Sequence, residues 1–98
     1  MHTWQFKEDR NLAVFCLRSI VKAGAVSLYG SHDSEDGMWQ FLDGTEPTEP
    51  NAMIISLGEV VDLDPTVVEL AGLPPGWYTM RSSRNDEWVF RKNERAGA

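Results

Sequence analysis

Residues 53–65 read Met53-Ile54-Ile55-Ser56-Leu57-Gly58-Glu59-Val60-Val61-Asp62-Leu63-Asp64-Pro65, and this stretch decides the fold class. Residues 53–56 have the apolar, β-branched character of a short strand. Ser56 and Glu59 then hold the spacing at which a serine hydroxyl and a glutamate carboxylate satisfy the free amides of a helix start. That helix cannot run far. Asp64 offers a fresh N-cap and Pro65 sits at the one helical position where a missing N–H costs nothing, while Gly72 and Pro74 stop the second segment. The spacing predicts two short consecutive helices, at about 57–62 and 65–71. Val60, Val61, Leu63, Val67, Val68, Leu70 and Ala71 supply their buried stripe, and Glu59, Asp62 and Glu69 face water.

Strand patterns surround this helical insert. On its C-terminal side the turn Leu73-Pro74-Pro75-Gly76 leads into a strand at 77–82, a turn at 83–86 and a returning strand at 87–91. On its N-terminal side residues 13–17, AVFCL, form a central strand that runs into one tight helical turn before Ala23-Gly24. Residues 25–29 and 38–42 read as a hairpin with a long polar tip, in which alternation sends Val26 with Leu28, and Trp39 with Phe41, toward the core. Residues 43–51, DGTEPTEPN, carry no large apolar side chain and form a surface loop. Residues 1–10 and 93–98 are expected to fray. The expected fold is α+β: a mainly antiparallel sheet of five or six short strands, with the two helices covering one face.

The chain has 98 residues, 42% hydrophobic and 24% charged, which suits a single domain spanning 1–98 with one modest core and excludes a disordered or fibrous chain. The lone Cys16 cannot close an internal disulfide and no signal pattern opens the sequence, so a cytoplasmic setting is expected. No apolar run approaches the roughly 20 residues of a membrane span.

Charge is unevenly distributed. Between Lys22 and Arg81 lie 58 residues without a lysine or arginine, yet they carry ten acids: Asp33, Glu35, Asp36, Asp43, Glu46, Glu49, Glu59, Asp62, Asp64 and Glu69. The whole chain has a formal net charge of −6, which argues against nucleic acid and anionic membranes as partners. Basic termini can pack beside the acidic middle, each exposed pair contributing at most about 1 kcal/mol. The same charge can instead form an acidic face that meets a basic protein.

The polar segment Ser31-His32-Asp33-Ser34-Glu35-Asp36-Gly37 is where chemistry could reside. Consecutive Ser31, His32 and Asp33 seldom point to one place as a hydrolytic triad requires, and Cys16 lies in an apolar run where inert packing is usual. Aligning Gly37 with the glycine of a calcium loop puts His32 and Ser34 at ligand positions that call for carboxylates. Zinc finds one cysteine and one loop histidine besides His2, and neither a phosphate loop nor a dinucleotide fingerprint is present. No cofactor is expected. The segment reads first as a solvated hairpin tip. Trp39, Trp77 and Trp88 read as shared core, and Arg81 as a solvent-facing charge, its alternative being a buried partner for Asp33 or Asp36.

Val14-Phe15, Ser31-His32-Asp33, the run from Asp36-Gly37-Met38-Trp39 through Gln40-Phe41-Leu42, residues 56–65 and Leu73-Pro74-Pro75-Gly76-Trp77 together resemble a family of small uncharacterised bacterial proteins. The resemblance covers residues 13–82 and implies a bacterial cytosolic origin with nothing catalytic. Its motif residues His32, Asp33, Asp36, Trp39, Gln40 and Trp77 form the candidate interaction corner. The leading expectation is a non-enzymatic interaction domain that binds a basic protein through its acidic centre, with self-association as a further expectation. The alternative from another class is a small hydrolase or metal-assisted enzyme that uses His32 with Asp33 or Asp36.

Overall fold

In the computed structural model, residues 4–44 and 48–92 are described. The expectations for residues 1–3, 45–47 and 93–98, among them His2, Glu46 and the frayed C-terminus, lie outside the described residues. The strands are β1 (Ala13–Leu17), β2 (Tyr29–His32), β3 (Trp39–Leu42), β4 (Ala52–Ser56), β5 (Trp77–Met80) and β6 (Val89–Lys92). They form one six-stranded sheet in the order β4-β1-β3-β2-β5-β6. The sheet is mixed. β1 runs parallel to β3, with Phe15 opposite Gln40, and the other neighbouring pairs are antiparallel. The fold is α+β.

Helix α1 (Arg18–Ala23) follows β1 directly and ends at Gly24, whose φ of 74° places it in the left-handed region that favours glycine. Helix α2 (Leu57–Leu63) begins where Ser56 Oγ accepts the Glu59 N–H at 3.1 Å. Pro65–Leu70 is helical but wound as a 3₁₀ helix, with Asp64 accepting the Thr66 N–H at 3.1 Å as its cap. Leu63, expected within the buried stripe, is 43% exposed, because α2 ends there and the chain turns into the buried cap at Asp64.

Register assigns the two faces of the sheet. Val14 and Cys16 of β1, Gly30 and His32 of β2, Trp39 and Phe41 of β3 and Thr79 of β5 share the buried face. Leu57, Val60, Val67, Leu70 and Leu73 join the same core. Gly30 allows the close approach there, since a Cβ at this position would lie 2.8 Å from Leu70 Cδ1 and force it to shift. Phe6 also enters this core at 5% exposure, with its ring edge-on to Trp39, although its segment was expected to fray.

The first hairpin lies further along the chain than expected. Residues 25–28 are not strand, Val26 and Leu28 are only half-buried, and the fully buried residue between them is Ser27. Ser27 is held by polar contacts: its hydroxyl donates to the carbonyls of Tyr29 and Leu42, and its N–H to Asp64. The shift moves Ser31 and His32 out of the tip and into β2. In the C-terminal hairpin β5 begins at Trp77 as expected but ends early, at Met80, and β6 begins two residues late, at Val89.

Candidate functional site

His32 is a buried strand residue, 8% exposed, and its ring stacks on Trp39 with centroids 4.2 Å apart and planes 17° apart. The turn through Leu73-Pro74-Pro75-Gly76 fixes its surroundings. Gly76 takes a φ of 87° and donates its N–H to the His32 carbonyl at 2.7 Å, and the Leu73 carbonyl lies 2.8 Å from His32 Nδ1. A carbonyl only accepts, so Nδ1 carries a proton and donates it. On the other side of the ring Nε2 lies 3.7 Å from Glu8 Oε2, the same oxygen that accepts from Trp39 Nε1 at 3.0 Å. The His32 ring is thus engaged with Leu73 and Glu8, not with Asp33 or Asp36.

Asp33 and Asp36 shape the loop that follows. Asp33 Oδ1 accepts the N–H groups of Glu35 at 2.7 Å and Asp36 at 3.3 Å, and Asp36 Oδ1 accepts that of Met38 at 2.8 Å. The two backbone bonds hold the half-buried Asp33 carboxyl below its usual range, with a smaller contribution from His32. Gly37, at a φ of 72°, closes the turn.

Gln40 and Ser31 are opposite one another on the face of the sheet away from the core. The six candidate residues therefore separate into three groups. Trp39 and the His32 ring belong to the interior. Asp33, Gln40 and Trp77 line a small polar cleft of about 160 Å³, together with Ser31, Ser34 and Tyr29. Asp36 is exposed and serves the turn. Trp77 is half-buried, whereas Trp39 and Trp88 are 0% and 7% exposed. Among the described residues, no three His, Cys, Asp or Glu side chains gather as a metal site would require.

Arg81 overturns its expected role. It is 7% exposed, and the acid it meets is Asp64, at 3.3 Å, instead of Asp33 or Asp36. Asp62 is paired with Arg10 at 3.4 Å, so two of the central acids are matched by arginines from the terminal segments. Glu8 was missed as a member of the site, and Ser31, read as part of the polar tip, was left out of the six-residue corner. The alternation of Trp4, Phe6 and Glu8 along one stretch was the signal that this segment packs down.

The opposite face of the sheet is open. Ile54, Met80 and Val89 on it are 60%, 41% and 47% exposed, and Phe15, Tyr29 and Tyr78 are half-buried. A second recess, of about 390 Å³, lies at the β5–β6 end, where Met80 and Val89 adjoin Asp86 and Glu87. No helix among the described residues is long and apolar enough to cross a membrane. No family model, curated protein or solved structure matches the chain.

Proposed function

We propose that the chain is a non-enzymatic cytoplasmic interaction domain that docks a basic protein on the open face of its sheet. The observation that carries this reading is the set of apolar side chains left on that face, with Ile54, Met80 and Val89 between 41% and 60% exposed and three half-buried aromatic rings on the same face. Exposed apolar patches rimmed by polar groups mark interaction sites, and aromatic residues supply much of the binding energy at such surfaces. The rim gives the partner its sign. Asp86 and Glu87 adjoin Met80 and Val89 at one end of β5, where Arg91 also lines the recess, Asp33 lies near the other end, and the chain as a whole carries a net charge of −6. Opposite charge on the partner raises the rate of encounter, while apolar burial holds the complex.

The test is capture from a bacterial extract at low and at high salt, with wild-type protein and the Ile54→Lys/Met80→Lys variant. A basic protein retained at low salt, released at high salt, lost with the variant and rebound saturably after purification supports the reading. Recovery of no salt-sensitive partner, or retention unaffected by the variant, overturns it. Sedimentation at two concentrations is the companion measurement. A dimer abolished by the same substitutions assigns the face to a second copy instead.

A further inference from the structure

We propose that the cleft formed by Ser31, Asp33, Ser34, Gln40 and Trp77 receives the cationic end of a lysine or arginine side chain of the partner. This rests on the docking reading above and names the group that the partner must present.

The charge of the lining decides the class of ligand. Asp33 is its carboxylate, it is joined by no lysine or arginine, and the one histidine, His32, has its ring nitrogens turned to Leu73 and Glu8. The lining offers an anion no positive charge, the nearest basic residues in register, Arg91 and Lys92, standing one strand further out opposite Tyr78 and Trp77. A cation that carries hydrogen-bond donors finds acceptors in the Asp33 carboxylate, the Gln40 side-chain carbonyl and the hydroxyls of Ser31 and Ser34. Tyr29 and Trp77 add aromatic residues, whose ring faces attract cations. Burial raises the Tyr29 phenol above its ordinary range, with Tyr78 adding to it and Ser31 opposing, so Tyr29 brings no negative charge of its own at neutral pH.

Size and rigidity narrow the ligand further. About 160 Å³ falls below the roughly 300–1,000 Å³ of sites that hold whole small molecules, and it suits the end of one side chain. Asp33 is preorganised, because its Oδ1 is already anchored by the Glu35 and Asp36 N–H groups. The position is favourable too. Ser31 and Gln40 stand on the open face itself, in register with Phe15 and Tyr78, so a chain lying on that face can lower a side chain into the cleft.

The experiment is an NMR titration of the labelled full chain with N-acetyl-lysine amide, N-acetyl-arginine amide and the neutral N-acetyl-norleucine amide. The expected result is saturable shifts at Ser31, Ser34, Gln40 and the Trp77 indole with a cationic amide and none with the neutral one. Asp33→Asn keeps an oxygen for the turn and removes the charge, and should weaken binding about tenfold, whereas Asp86→Asn should leave it unchanged. Equal shifts with the neutral amide, shifts that do not saturate, or an Asp33→Asn variant that binds like wild type overturn the proposal. Putrescine binding more tightly than either capped amino acid would also overturn it, in favour of a free amine. Failure here leaves the Ile54→Lys/Met80→Lys capture result standing, and failure of capture leaves the titration standing.

Discussion

Arg81 and Asp64 meet 3.3 Å apart in the interior, with side chains 1% and 6% exposed. The guanidinium also donates to the Ser27 carbonyl at 3.1 and 2.9 Å, to Thr66 Oγ1 at 3.0 Å and to the Arg84 carbonyl at 3.3 Å, and the Trp88 ring lies 4.0 Å from it. One side chain thereby ties the end of β5 to the segment before β2 and to the cap of the 3₁₀ helix. Arg81→Met should cost about 3–5 kcal/mol, because it leaves a buried carboxylate without its counter-charge. Adding Asp64→Asn removes that charge, keeps an acceptor for Thr66 and should restore part of the loss. Urea unfolding of wild type, both single variants and the double variant checks the sign of the coupling.

Gly30→Ala tests how closely the 3₁₀ helix lies on the sheet. The added methyl would meet Leu70 Cδ1 at 2.8 Å and Thr79 Cγ2 at 3.4 Å, both on fully buried side chains. Overpacking of this kind costs about 1–3 kcal/mol. Leu70→Val withdraws the clashing methyl, so the double variant should lose less than the sum of the two single losses, as read from urea midpoints.

What was legible in the sequence was mostly local. Ser56 with Glu59 and Asp64 with Pro65 mark helix starts through bonds between residues two or three apart, and both starts are where the spacing puts them. Trp39 and Phe41 alternate inward because their strand is continuous. The hairpin register was not legible, because Gly30, Ser31 and His32 look like loop residues until Leu70 and the Leu73 carbonyl are brought over them from some 40 positions away. Arg81 misled for the same reason, since its acid, carbonyl and hydroxyl partners are set by the assembled fold. The cleft was half legible: Asp33, Gln40 and Trp77 line it, but the tip reading gave no ground for separating them from Trp39.

Cys16 and Tyr29 set a pH dependence with a definite sign. Burial lifts the Cys16 thiol above its ordinary value of 9.0 and the Tyr29 phenol above 10.0. In the unfolded chain both groups ionise first, so the folded state holds more protons as pH rises. Their contribution to stability is full below those ordinary values and is lost as pH climbs through the raised folded ones. Urea midpoints should fall between neutral pH and pH values above 10.0, and Cys16→Ala should flatten the part that begins near 9.0. In native protein at neutral pH the thiol, 0% exposed, should react with a disulfide reagent only as fast as the chain unfolds.

The segment before β1 should act as a structural strap, and its loss should be felt at the His32 corner. Phe6 lies 5.4 Å from Trp39 with the rings at 81°, Trp4 Nε1 donates to the Glu8 carbonyl, and Glu8 Oε2 takes the Trp39 indole N–H while facing His32. Phe6→Ala removes a buried ring and should cost about 3–5 kcal/mol. Glu8→Gln preserves an acceptor for the indole at nearly the same volume and should cost far less, whereas Glu8→Ala leaves a partly buried N–H unmade and should cost about 1–3 kcal/mol. The ordering separates two accounts of the segment. If its role is apolar cover alone, Glu8→Ala will match Glu8→Gln. If the carboxylate also holds the ring pair, Glu8→Ala will shift the Trp39 indole and His32 ring resonances and Glu8→Gln will leave them near their wild-type positions.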